Sequence, residues 1–236
     1  MSDENKELSL KNEGKNISSP VEHILNILKA GLSTTPFCGG IASLLSDYIP
    51  STKQKRIETF TELVASDLEK LQKKVDEKLI QTDDFAFIFE KCFRGAAENY
   101  QKEKFDSFRG ILINSAVGSN VKEEEKEYYL NLVNTLSALH IKILKFMAMP
   151  TEYLENEGIP QENIRGGFSD FFPIAIHGVN IEVMKSAFGD LHQYGFINTD
   201  KSIFTTMSSD KGLVLLGGRV SVLGMQFIKF CTVPNE

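Results

Sequence analysis

The residues that could support catalysis or metal binding are few and widely spaced. The chain has four histidines: His23, His140, His177 and His192. None has a second histidine or a cysteine at the spacing of a zinc site, and no nucleophile-elbow, phosphate-loop, dinucleotide-binding or zinc-protease motif occurs. His177, in an Ala-Ile-His-Gly segment, is the one histidine that merits a test. We therefore expect no enzymatic activity, no metal ion and no cofactor.

The cysteines favour packing over chemistry. Cys38, Cys92 and Cys231 are odd in number and far apart, and no Cys-x-x-Cys pair occurs, which argues against a disulfide framework. Cys92 and Cys231 lie in apolar helical patterns, where a thiol usually acts as a small buried apolar group.

Composition indicates an ordinary globular core with an acidic surface. Of 236 residues, 42% are hydrophobic, 17 are Phe and none is Trp, and the net charge is −6. An acidic total disfavours nucleic acid and anionic membranes as partners. Residues 1–19 are polar and lack the apolar core of a secretory signal, so we expect a disordered tail and a cytoplasmic protein.

The segment 20–135 is predicted to form a helical bundle. The longest helix is expected at about 52–81, where apolar residues recur every three or four positions. Thr82 and Asp83 are suited to begin the next helix, and further helices are predicted over about 102–117 and 122–147.

The segment 36–45 combines a proline-initiated helix with unusually small side chains. Two glycines in a helix cost roughly 1 kcal/mol each, so a compensating interaction is expected. Close helix packing is one interpretation, and contact with a membrane surface is another. The residues concerned are Phe37, Cys38, Gly39, Gly40 and Leu44.

The segment 136–236 has the element order of a winged-helix unit. An irregular stretch at 150–180 precedes a helix at 181–194, two short strands around 208–212 and a last helix ending near Cys231. The sequence therefore predicts a mainly α protein in which a helical bundle is followed by a winged-helix-like α+β unit with a small β-hairpin.

Such a unit could contact DNA or a protein partner through its second helix and hairpin. The polar candidates there are Lys185, His192, Lys201, Lys211 and Arg219. From residue 136 to the end, however, eight Lys or Arg face ten Asp or Glu. This balance favours protein contact over DNA binding, because phosphate contacts require a basic surface.

Three stretches, Phe108–Ser115, Leu139–Phe146 and Val222–Cys231, occur in an order that resembles the abortive-infection alpha family. The resemblance covers about residues 60–232 and implies a bacterial protein linked to phage resistance, with no catalytic residues to transfer. We therefore expect a non-enzymatic defence protein that acts through a partner protein or self-association. Two alternatives stay open: a winged-helix DNA-binding regulator, and a membrane-acting effector that uses residues 36–45.

Overall fold

Helices dominate the part of the chain that the structure describes. This computed structural model describes residues 50–206, 212–216 and 218–235. Within those ranges the α-helices are α1 (Pro50–Lys70), α2 (Asp83–Glu98), α3 (Lys102–Ala116), α4 (Glu123–Thr135), α5 (Ala138–Ala148), α6 (Pro150–Glu157), α7 (Phe168–Ala175), α8 (Ile181–Gln193) and α9 (Val222–Phe230).

Several helix ends are set by local chemistry, which the sequence predicted at Thr82. The Thr82 hydroxyl accepts a hydrogen bond from the Phe85 N–H at 3.2 Å, which caps α2. Likewise the Ser221 hydroxyl accepts from the Gly224 N–H at 3.0 Å at the start of α9. After α8, Gly195 adopts a φ of 75°, a left-handed conformation that glycine tolerates well.

The first long helix is shorter than predicted. It ends at Lys70 rather than near residue 81, and short 3₁₀ helices follow at Gln72–Lys74 and Leu79–Gln81. The backbone N–H of Asp76 donates to the Ala116 carbonyl at 3.0 Å, and the Asp76 carboxylate accepts from the Lys78 N–H at 2.9 Å. These bonds take the place of the regular backbone hydrogen bonds of an α-helix. A short polar side chain that bonds to the nearby backbone often interrupts a helix in this way.

The predicted helix over 122–147 is divided in two. Leu136 is extended, with φ −67° and ψ 142°, and Ser137 then caps α5. Continuous apolar spacing across the break concealed it, because residues on both sides face the same core.

The stretch 150–180, predicted to be irregular, contains two helices. Pro150 occupies the first position of α6, where its fixed φ suits a helix and no N–H is required. Gly158 then ends α6 with a φ of 67°.

Phenylalanine side chains form much of the core, as the composition predicted. Phe60 meets Phe93 and Phe105 edge to face, with ring centroids 5.0 and 5.1 Å away. Farther along the chain, a second aromatic group joins α7, α8 and the segment after α8, and its members are Phe168, Phe172, Phe188 and Phe204.

The winged-helix prediction is wrong. No strand or hairpin forms in the described part of the C-terminal region, where the only extended pairing is one antiparallel bridge between Ile197 and Val220. The segments expected as strands are instead 3₁₀ helices at Lys201–Thr205 and Gly212–Leu216. Asp200 caps the first of them by accepting from the Ser202 N–H at 2.9 Å. Short apolar runs fit either structure, so their pattern could not distinguish the two.

A candidate binding cleft between helices α3, α5 and α6

The polar residues predicted to contact DNA or a partner lie around α8, and their polar groups are partly engaged within the protein. Lys185 Nζ lies 2.8 Å from a Glu182 carboxylate oxygen. Arg219 Nη1 donates to the Thr199 hydroxyl at 3.1 Å, and its guanidinium lies over the Phe168 ring.

Two of the remaining candidates of that group, His192 and Lys201, are exposed. Exposed His192 has its Nδ1 3.2 Å from the Ile197 carbonyl oxygen. Lys201 is exposed at the start of a 3₁₀ helix whose cap is acidic Asp200. Lys211 lies outside the described residues. The segment 197–199 therefore contacts both His192 and Arg219.

The predicted membrane or helix-contact residues, Phe37, Cys38, Gly39, Gly40 and Leu44, also lie outside the described residues. Among the helices that are described, none has the length and apolarity needed to cross a membrane. In the same ranges, no group of three or more His, Cys, Asp or Glu side chains could hold a metal ion.

A serine, a histidine and an aspartate form a hydrogen-bonded array at the start of α5. The Ser137 hydroxyl lies 2.7 Å from His140 Nδ1, and His140 Nε2 lies 3.2 Å from an Asp190 carboxylate oxygen. Because His140 Nδ1 also accepts from the Ser137 backbone N–H at 3.1 Å, the array is a reciprocal helix cap. His177, by contrast, is exposed and has no hydrogen-bond partner in the described ranges.

A polar cleft of about 480 Å³ opens between α3, α5 and α6, with the chain after α9 as its floor. Its volume lies in the range of small-ligand sites. No motif or spacing in the sequence predicted this cleft. Its lining comprises Lys102, Glu103, Asp106, Arg109, Lys142, Lys145, Met149, Glu152, Tyr153, Asn156, Glu157, Cys231, Thr232 and Val233.

The floor of the cleft depends on a close approach between α3 and the end of α9. A Cβ atom on Gly110 would lie 2.2 Å from the Cys231 carbonyl oxygen, so only glycine fits there without movement. One turn later, Asn114 Nδ2 donates to the carbonyl oxygens of Phe230 at 3.0 Å and Thr232 at 2.8 Å. These bonds satisfy carbonyls that the end of a helix leaves without partners.

Two of the cleft's cations are held by carboxylates. Arg109 binds the buried Asp67 through two nitrogens, with Nη2 3.1 Å from one carboxylate oxygen. Lys142 lies between Glu103 and Glu157, with Nζ–O distances of 3.5 and 3.9 Å. These charges are largely compensated inside the molecule.

Three other lining charges are not compensated in this way. Within the described part of the chain, Lys102, Lys145 and Glu152 have no carboxylate or cation within salt-bridge distance and no side-chain hydrogen bond. Lys102 and Glu152 are exposed, whereas Lys145 is partly buried. Because none of the three is engaged by another charged side chain of the described ranges, each can bind an external charge without first breaking an internal ion pair.

The cleft lacks an activated nucleophile. Burial raises the pKa of the Cys231 thiol far above its ordinary value, and the nearby Lys145 ammonium opposes this shift only in part. Burial, together with the carboxylates of Glu157 and Glu103, raises the pKa of Tyr153, whose hydroxyl donates to the Ala175 carbonyl at 3.1 Å. Because their pKa values are raised, both groups stay protonated at neutral pH. The Cys231 thiol is therefore unreactive, since the thiolate is the reactive form of cysteine.

No family model, curated protein or solved structure matches this chain. The resemblance to the abortive-infection alpha family accordingly stays a prediction from its three sequence stretches.

Proposed function

We propose that this chain is a non-enzymatic interaction module of a bacterial phage-defence response, and that the cleft binds a segment of a partner protein. The defence context comes from the ordered resemblance of Phe108–Ser115, Leu139–Phe146 and Val222–Cys231 to abortive-infection proteins. The binding role comes from the structure of the cleft.

The observation that carries the binding role is the set of uncompensated charges of both signs in one cleft. Lys102, Lys145 and Glu152 line it together and have no partners in the described ranges. Met149 and Val233 add apolar contact area to the same lining. A peptide segment with charged and apolar side chains matches this mixture, since charge complementarity gives specificity and apolar contacts give affinity.

The proposal is tested by challenging cells that carry the gene with a broad phage panel. We expect the parent to lower phage plating relative to cells without the gene. Charge reversal in the cleft, by Lys145→Glu or Glu152→Lys, should abolish that protection. Glu152 is exposed and has no described partner, so its reversal tests the cleft without threatening the fold.

Lys55→Glu is the matched control, because Lys55 is exposed on α1 and does not line the cleft. This variant should protect as well as the parent. Equal plating with and without the parent gene across the panel would refute the defence role. Full protection by both cleft variants, at matched protein levels, would refute the role of the cleft.

A further inference from the structure

We infer that the cleft selects its partner segment by a carboxylate side chain that binds Lys145. This inference rests on the proposed binding function and specifies the chemical group that the cleft recognises. It follows from which charges the fold already compensates and which it leaves without a partner.

Lys142 and Lys145 lie one turn apart on α5, yet their surroundings differ. Lys142 has Glu103 on one side and Glu157 on the other. Lys145 has no carboxylate within 4 Å among the described residues, although Asp106 and Glu152 line the same cleft. Lys145 is therefore the partly buried cation in this lining that remains available to an external anion.

The charge balance favours a single negative charge over two. The lining holds four cations and four carboxylates, so it has no surplus positive charge, and Lys145 is a partly buried cation in it without a carboxylate partner. The neighbouring carboxylates oppose a singly charged carboxylate less than a phosphate group, which carries close to two negative charges at neutral pH. An ammonium-to-carboxylate hydrogen bond is also a strong, charge-assisted one.

The floor permits an anion despite the nearby end of α9. The C-terminal end of a helix carries partial negative charge, which opposes anion binding. Here Asn114 donates to the Phe230 and Thr232 carbonyls, so part of that negative potential is already offset. Lys145 lines the same cleft as Cys231, Thr232 and Val233, the residues that form this floor.

The test is an NMR titration of the full, ¹⁵N-labelled chain with capped tetrapeptides. The four probes carry Glu, Gln, Lys or phosphoserine at one position beside a leucine. We expect the Glu peptide to shift the backbone amide signals of Lys145, Met149 and Val233, with an affinity that falls as salt is added. The Gln peptide should bind roughly tenfold more weakly, because it lacks the charge of the hydrogen-bond acceptor.

Variants assign the effect to single side chains. Lys145→Gln should reduce the affinity for the Glu peptide to that for the Gln peptide, a coupling that a purely structural role would not produce. Glu152→Gln should instead strengthen binding of the Glu peptide, by roughly threefold, since a like charge is removed and this peptide, unlike the proposed partner segment with charges of both signs, carries no cation for Glu152 to bind. Lys55→Gln is the control and should change neither affinity.

The outcomes separate the two proposals. Tighter binding of the Lys peptide in the cleft would overturn the carboxylate assignment and leave the binding function in place. Tighter binding of the phosphoserine peptide would overturn it in favour of a phosphate. If no peptide shifts any cleft signal, both the assignment and the proposed use of the cleft are wrong.

Discussion

Replacing Gly110 by alanine should weaken the fold at the floor of the cleft. An added Cβ would meet the carbonyl oxygen of Cys231 at 2.2 Å and the Thr232 nitrogen at 2.7 Å. Both are backbone atoms, so no side-chain rotation relieves the clash and the end of α9 must move away from α3. That movement also stretches the Asn114 hydrogen bonds to the Phe230 and Thr232 carbonyls.

The size of the loss follows from three contributions. Overpacking a well-packed contact costs about 2 kcal/mol. Losing two hydrogen bonds costs about 1 kcal/mol each, whereas alanine gains about 1 kcal/mol over glycine inside a helix. The Gly110→Ala variant should therefore lose about 3 kcal/mol of unfolding free energy, or roughly 6–12 °C in Tm for a chain of this size.

Gly189→Ala is the matched control, with the opposite sign. Gly189 lies inside α8, and the nearest atom to its added Cβ is the flexible Lys201 Cδ at 3.5 Å. This variant should gain about 0.5–1 kcal/mol from helix propensity alone. Urea unfolding followed by far-ultraviolet circular dichroism suits the comparison, because the chain has no Trp. A Gly110→Ala protein as stable as the parent would refute the close approach of α3 and α9.

Two further predictions concern buried polar groups. Asp67→Asn should lower the free energy of unfolding, measured with urea, by about 3 kcal/mol, because it leaves Arg109 without its buried carboxylate. The control Glu90→Gln removes an exposed ion pair and should lower it by under about 1 kcal/mol. Similar losses in the two variants would contradict the prediction. Burial raises the thiol pKa of both Cys92 and Cys231, so the unfolded chain releases their protons at lower pH than the folded chain. The two thiols contribute fully to the free energy of unfolding below about pH 8.5, and their contribution decreases above that pH. Between about pH 8 and pH 10 the urea midpoint should therefore fall less steeply for the Cys92→Ala, Cys231→Ala double variant than for the parent. An unchanged slope would show that the thiols do not contribute.

Local signals in the sequence identified helices and several of their ends. The start of α2 at Thr82 and the end of α8 before Gly195 could be assigned in advance, because a cap or a left-handed residue depends on its immediate neighbours. The end of α1 could not, because no local signal marks Lys70, and the chain beyond it is held by a tertiary hydrogen bond from Asp76 to Ala116, forty residues away. Apolar spacing continued through that end and gave no sign of it.

In the C-terminal region, too, apolar spacing failed to predict the backbone conformation. Phe204 and Leu216, on either side of 208–212, are buried, but the backbone around them is 3₁₀ helix rather than the predicted strand. Burial of single residues in a five-residue segment is compatible with both structures. The sequence indicated which side chains enter the core and misjudged the backbone conformation that brings them there.

The cleft was not predictable for a more basic reason, which Lys142 and Lys145 illustrate. Neither lysine has an acidic residue three or four positions away on α5, so sequence spacing assigns both to a solvated helix face. In the fold, Lys142 meets Glu103 of α3 and Glu157 of α6, while Lys145 faces the floor without a carboxylate within 4 Å in the described ranges. Lys145 is thus a candidate binding residue because, in the described ranges, no carboxylate from another helix pairs with its ammonium group. Such a property depends on the packing of three helices, and it is measurable as the difference in peptide affinity between the parent chain and Lys145→Gln.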